Sequence, residues 1–295
     1  MRIIVTGGAG FVGSNLVDEL IARGHEVFVI DNLSTGYKKN LNEKADFAKV
    51  DIICLECIDG LFKAFEPEYV FHLAALPRIQ PSIIDPLSSH NSNVTGTLNV
   101  LLCAKKYNVK KVIYAASSSA YGHNKTPYRE DMIPNPLNPY AMQKYMGEMY
   151  CRLFEMVYGL KSVCCRFFNV YGPRQTSEGA YSTVIGIFLR QNKDGKPMTI
   201  VGDGKQTRDF THVSDIVDGL IKAMESDVSN EVINLGSGRN VSVNYIAELI
   251  GGDTVHLPDR PQEARNTRAS NKKAYKLLKW KPKVRIEEGI HDLYR

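Results

Sequence analysis

Residues 1–31, MRIIVTGGAGFVGSNLVDELIARGHEVFVID, constrain the fold more tightly than any other stretch. Residues 2–5 read as a buried strand, and Gly7, Gly10 and Gly13 follow at three-residue spacing. An amphipathic helix comes next, with Val12, Leu16, Leu20 and Ile21 on one face. A second apolar strand, residues 26–30, ends at Asp31. A β-turn-α-β unit that opens on glycines is the arrangement that binds dinucleotides. One glycine makes the tight turn, one lets backbone N–H groups approach a pyrophosphate, and one lets helix and strand pack closely. The helix N-terminus adds unpaired N–H donors and a partial positive charge. Asp31, at the strand end, is placed to accept from the ribose hydroxyls of an adenosine half. A carboxylate there repels a 2′-phosphate, so the stretch predicts NAD rather than NADP.

The rest of the chain continues the alternation of strands and helices, which predicts an α/β fold with a Rossmann-type doubly wound parallel sheet. Strands are expected near residues 47–50, 69–73, 111–115, 161–167 and 231–235, and long helices over 90–107 and 140–157. After Asn169 the strands become short and sparse, which predicts a smaller C-terminal α/β cap over the strand ends, holding the substrate. The expected division is a dinucleotide-binding domain over 1–168, rejoined by 211–242, and a substrate domain from 169–210 and 243–295. The proline-bounded loop 77–86 follows a strand and is expected to border the site, because ligands bind beyond the carboxyl ends of such strands. His72, within its strand, reads as a satisfied core histidine.

At 295 residues and a formal charge of +5, the chain is long enough for both parts and mildly basic. The one tight basic group, Lys272, Lys273, Lys276, Lys279, Lys281 and Lys283, reads as a solvated helix face. Nucleic acid is not an expected partner, whereas a mildly basic protein suits an anionic small substrate. The sequence shows no secretory leader pattern and no apolar run of about 18 residues. A cytoplasmic protein with no membrane contact is therefore expected. The six cysteines are expected to be reduced, and the single CxxC at Cys54 and Cys57 has no second pair with which to form a metal site.

The chemistry centres on Tyr140-Ala-Met-Gln-Lys144, at the start of the helix that follows a proline-rich loop. Residues i and i+4 share one helix face, so phenol and ammonium are expected to reach one site. A phenol ordinarily titrates near ~10. A neighbouring ammonium and a cationic nicotinamide ring both favour the phenolate. Tyr140 is thus a candidate general base, with Lys144 also holding the nicotinamide ribose. Ser117, at the end of the preceding strand, offers a hydroxyl to the reacting oxygen.

These residues belong to a larger set: TGGAGFVG at 6–13, Asp31-Asn32, HLAA at 72–75, SSSAYG at 117–122, YAMQK at 140–144, RFFNVYGPR at 166–174, QTRDFTHV at 206–213 and NLGSG at 234–238. In that order and over nearly the whole chain they resemble the extended short-chain dehydrogenases/reductases of the NAD-dependent nucleotide-sugar epimerase/dehydratase family. Within it they look most like UDP-glucose (UDP-galactose) and UDP-N-acetylglucosamine 4-epimerases. The resemblance implies that Gly7, Gly10, Phe11, Val12 and Gly13 hold the NAD pyrophosphate, with Asp31 and Asn32 at the adenosine ribose. It places Asp51 and Ile52 at the adenine, and Leu73, Ala74, Ala75, Tyr140, Lys144 and Phe168 along the rest of the cofactor. Counting back four residues from Tyr121 makes Ser117 the catalytic hydroxyl. Asn169, Arg208 and Arg260 are implied to hold the substrate diphosphate, a geometry to which guanidinium forks are suited. Thr199 and Val201 are implied to face the uracil.

A dehydratase or decarboxylase of this family carries an acid directly after the catalytic hydroxyl, where this chain has Ser118 and Ser119. Epimerisation at C4 of a UDP-hexose through a transient 4-keto sugar, with NAD regenerated in each cycle, is therefore expected. Thr267, a small residue before Ala269-Ser270-Asn271-Lys272, is the implied gate for the group on C2 and suggests tolerance of N-acetylated sugars. The basic tail leaves UDP-glucuronate as an alternative substrate, beside a nucleotide-sugar dehydratase or reductase. A non-catalytic NAD-binding regulator would have no need of the Ser117, Tyr140 and Lys144 set. The resemblance also implies a homodimer through the two long helices.

Overall fold

The computed structural model describes residues 1–259 and 264–294. Its first half runs β1 (Arg2–Thr6), α1 (Phe11–Ala22), β2 (Glu26–Asp31), β3 (Asp46–Lys49), α2 (Leu55–Phe65), β4 (Tyr69–His72), α3 (Ile79–Ile84), α4 (Pro86–His90), α5 (Gly96–Lys106) and β5 (Lys111–Ser117). Then come α6 (Pro139–Tyr158), β6 (Ser162–Phe167), β7 (Val170–Tyr171), α7 (Val184–Lys193), β8 (Met198–Val201), β9 (Thr207–Arg208) and β10 (Thr211–His212). The chain closes with α8 (Val213–Glu225), β11 (Glu231–Leu235), β12 (Val241–Ser242), α9 (Val243–Ile250), β13 (Thr254–Leu257), α10 (Lys272–Leu278) and α11 (Ile286–Asp292).

Seven of these strands form one parallel sheet in the order β11-β6-β5-β4-β1-β2-β3. The order reverses between β1 and β4, which opens a crevice at their carboxyl ends. Thr6 pairs with both Ile30 and His72, so the three strands end level there. The strands are apolar on both faces because both are covered, as a parallel sheet requires. One face packs Val5, Leu16, Leu20, Ile216, Leu220 and Trp280 from β1, α1, α8 and the segment after α10. The opposite face packs Ile4, Phe62, Val100, Cys103, Cys151 and Phe154 from β1, α2, α5 and α6. Trp280 is fully buried, and its indole N–H donates to the Asp215 carbonyl at 2.9 Å, which docks the C-terminal segment onto α8. A separate apolar cluster joins Phe188, Ile200, Ile246 and Ile290 from α7, β8, α9 and α11. It lies in the region where the sequence predicts a cap, and it contains a pairing of β8 with β13 that the sequence reading lacks.

Two expectations are corrected. Residues 79–84 form α3 rather than loop. Pro81 sits in the first turn of that helix, where its missing N–H has no partner to lose. Cys54 and Cys57 are joined in a disulfide, not reduced. Cys54 is the N-cap residue of α2 and Cys57 lies in the first turn, which leaves their Cα atoms 5.3 Å apart. The other four cysteines are buried thiols. Among the described residues no helix is long and apolar enough to cross a membrane.

Candidate active site

A cavity of about 460 Å³ opens at the carboxyl ends of β1, β2, β4, β5 and β6 and reaches the segments around β7 and β9. At one end is the glycine turn. Gly7 has φ +74°, and a Cβ there would stand 2.6 Å from the Ala74 nitrogen. A Cβ on Gly13 would stand 2.1 Å from the Gly7 carbonyl oxygen. Side chains are thus excluded, and the first turn of α1 comes directly to the cavity wall at Phe11, Val12 and Gly13, with Gly10 as its N-cap residue. The first N–H groups of a helix have no intrahelical partner, so this cradle fits a pyrophosphate.

Asp31 is buried at the end of β2, and its carboxylate accepts from the Ala9 and Leu33 amides at 3.0 and 2.8 Å. Burial raises its pKa and these two hydrogen bonds oppose the rise. Held in this way, Asp31 faces the cavity beside Asn32 and Ile52. Asp51 is not on the wall. Its oxygens accept from the Asn32 side chain at 2.8 Å and the Ile53 amide at 3.0 Å, so it also braces Asn32. Leu73, Ala74, Ala75 and Phe168 line the middle of the cavity. His72 lies behind them, its ring nitrogens 2.7 and 2.9 Å from the hydroxyls of Thr6 and Thr97. Burial pushes its imidazole down to about 3, so it is the neutral structural residue expected.

Ser117, Tyr140 and Lys144 all line the same cavity. Asn138 caps α6 by accepting from the Ala141 amide at 2.9 Å, and Pro139 occupies the first turn, so the helix starts immediately before Tyr140. The Ser117 hydroxyl accepts from the Ser119 amide and hydroxyl at 3.2 and 2.9 Å. Burial raises the Tyr140 pKa, while the Ser117 hydrogen bond and then the Arg78 charge pull it down. Lys144 is held from the neighbouring strand. Its ammonium donates to the Ala115 carbonyl at 2.8 Å, above the Tyr114 ring, and burial brings its pKa down to about 8.

At the far end the wall includes Asn169, Arg208 and Thr267. Arg208 donates to the carbonyls of Thr207 and Arg265 at 3.1 and 3.0 Å. Its neighbour Asp209 is fully buried and accepts from the amides of Ser237, Gly238 and Ala269, which ties β9 to the segment carrying Thr267. Thr267 in turn accepts from the Asp209 amide at 3.2 Å. Thr199 and Val201 lie in β8, off the cavity wall. The Thr199 amide donates to Gln191, and the Val201 carbonyl accepts from Gln206. Arg260 lies outside the described residues. The sequence reading missed Arg78 and Gln80, which line the cavity from the segment at 77–82; its placement of a site-bordering loop there was the available signal.

The model of the NAD dependent epimerase/dehydratase family matches residues 3–236. A UDP-glucose 4-epimerase of Mycolicibacterium smegmatis is 38% identical, over 98% of this chain and 96% of that protein. The crystal structure of the Thermotoga maritima UDP-glucose 4-epimerase with UDP-glucose superposes with a TM-score of 0.95 at 41% identity, covering 98% of this chain and 96% of that one. The Thermus thermophilus UDP-glucose 4-epimerase in complex with NAD gives a TM-score of 0.92 at 35% identity, covering 98% and 96%.

Proposed function

The chain belongs to the NAD-dependent epimerase/dehydratase family, and on that premise we propose that it is an isomerase inverting C4 of a UDP-hexose. The reading is the interconversion of UDP-glucose and UDP-galactose, with the N-acetylated pair admitted by the small Thr267. The observation that carries it is the convergence of Ser117, Tyr140 and Lys144 on one cavity with the glycine cradle and Arg208.

NAD is the family's cofactor, and the residues present fit it. The first turn of α1 and Gly7 would hold the pyrophosphate, and Asp31 and Asn32 the adenosine ribose. Ile52 and residues 73–75 would line the remainder, with Lys144 and Phe168 near the nicotinamide. Bound NAD supplies a two-electron acceptor that is regenerated within each turnover.

The chain's own residues carry the rest. Tyr140 takes the proton of the sugar 4-hydroxyl and returns it to the same oxygen once the ring has turned its other face toward the cofactor end of the site, a general acid–base role. Ser117 donates to the oxygen as charge develops on it. Asn169 and Arg208 hold the diphosphate, so the sugar can turn about its link without leaving.

A homodimer is also proposed. Met142, Met149, Leu153, Met156 and Val157 leave exposed apolar surface along α6, and such a stripe suits a second copy of itself. The test of the reaction is Tyr140→Phe. Turnover of UDP-sugars is expected to fall by at least about 100-fold, as for loss of a general base, with NAD binding retained. Near-normal turnover in that variant sinks the assignment.

A further inference from the structure

Arg78 stands in a conformation that side chains rarely adopt, with φ 99° and ψ 142°. That region is close to glycine-only, so the surroundings must hold the residue there. They do so on three sides. The Arg78 Nε donates to the Tyr181 carbonyl at 3.0 Å. Before it, Leu76 exchanges hydrogen bonds with the Asn93 side chain, which also donates to Gln143 of α6 at 2.9 Å. After it, the Ser82 hydroxyl accepts from the backbone N–H of Tyr140 at 3.0 Å. The segment carrying Arg78 is therefore fastened to the helix carrying Tyr140, one contact being to Tyr140 itself.

We propose that Arg78 is a positioning residue for Tyr140: its guanidinium, held in the wall of the same cavity, favours the phenolate that takes the substrate proton. The inference rests on the epimerase reading for the identity of that proton. Among the described residues, the other charged groups on this wall are Lys144 from α6, Arg208 from β9 and, at the adenosine end, Asp31. Tyr114 of β5 lies beneath Lys144, and Tyr181 closes the rim beside Arg78. Lys144 spends a hydrogen bond on the Ala115 carbonyl, and the phenol's burial is opposed by Ser117 and Arg78. Arg78 and Tyr140 line one cavity, and a cation held on the wall that carries a phenol raises its phenolate fraction.

The test uses the full chain loaded with NAD, comparing wild type with Arg78→Lys, Arg78→Met and Arg78→Gly. The ionisation of Tyr140 is followed by tyrosinate ultraviolet absorbance, with the same titration of each protein carrying Tyr140→Phe subtracted. Ionisation is expected at higher pH in Arg78→Met and Arg78→Gly, and at the wild-type position in Arg78→Lys. The acid limb of kcat/KM is expected to move with it, a roughly tenfold loss at neutral pH that recovers in alkali. Arg78→Gly also relieves the strained φ and is expected to melt no lower than wild type. Unchanged tyrosinate ionisation in Arg78→Met, or a loss of kcat/KM equal at every pH, overturns the proposal. A wild-type protein that turns over no UDP-sugar overturns the epimerase reading instead, and the absorbance titration still decides the role of Arg78.

Discussion

Replacing Arg166 by Met tests how α6 is held against the sheet. Arg166 rises from β6 and forks onto Glu148 of α6, with Nε and one terminal nitrogen 2.9 and 2.7 Å from the two carboxylate oxygens. Both side chains are 3% exposed, so removing either leaves the other charge in the interior without its partner. Breaking such a pair costs about 3–5 kcal/mol. The guanidinium also lies 4.5 Å from the centre of the Tyr121 ring, whose hydroxyl donates to Asn234 at 2.7 Å, so the loss reaches the turn after Ser117. The expected losses are therefore about 3–5 kcal/mol for Arg166→Met and a similar amount for Glu148→Met. The double variant replaces both charges by apolar groups and is expected to recover at least half of the summed loss, since no buried charge remains. Urea unfolding, read as midpoint and slope, measures all three. The sign of the pH dependence follows from Glu148. Burial already raises its pKa, and Arg166 is what pulls it back. Without Arg166 the folded-state pKa lies further above the unfolded value. The penalty is then absent at pH below the unfolded pKa and grows as pH rises through the folded one. A loss below about 1 kcal/mol in Arg166→Met, or strict additivity in the double variant, refutes the reasoning.

Other expectations follow from the same structure. Gly13→Ala sets a Cβ 2.1 Å from the Gly7 carbonyl, so the glycine turn must shift. Overpacking of this kind costs about 1–3 kcal/mol, and NAD affinity is expected to fall by roughly tenfold or more. Calorimetric titration with NAD checks this, and wild-type affinity contradicts it. His72 is depressed to about 3, whereas an unfolded histidine titrates near 6.5. The unfolded chain therefore binds the extra proton between those values, and stability rises with pH across that window. His72→Gln is expected to flatten that slope in urea unfolding from pH 4 to pH 7, and an unchanged slope counts against the assignment.

The cofactor half of the cavity was legible because local sequence builds it. Gly7, Gly10, Gly13 and Asp31 lie within one β-turn-α-β unit, and their spacing is their geometry. Tyr140 and Lys144 were legible as a pair for the same reason, being one helical turn apart. What the i, i+4 rule does not contain is the carbonyl of Ala115 on a neighbouring strand, which takes the Lys144 ammonium. Arg78 was illegible as a site residue because its position depends on Tyr181, about a hundred residues away. Asp209 escaped notice for a similar reason, since its partners Ser237, Gly238 and Ala269 come from two distant segments. Asp51 reads as a ligand at a strand end, and what the sequence does not contain is the hydrogen bond it accepts from the Asn32 side chain. The disulfide departs from an argument about compartment, whereas its formation depends on the local turn that brings Cys54 and Cys57 together.

The central claim is that C4 is inverted inside one closed site in which the hydrogen removed from carbon is the one returned. The measurement is to incubate the purified protein, without added cofactor, with UDP-glucose deuterated at C4 and to follow the anomeric and C4 signals by NMR. The account predicts UDP-galactose growing in with the deuterium still on C4. Washout of the deuterium into water, or no epimer from this or the N-acetylated substrate even after NAD is added, would contradict it.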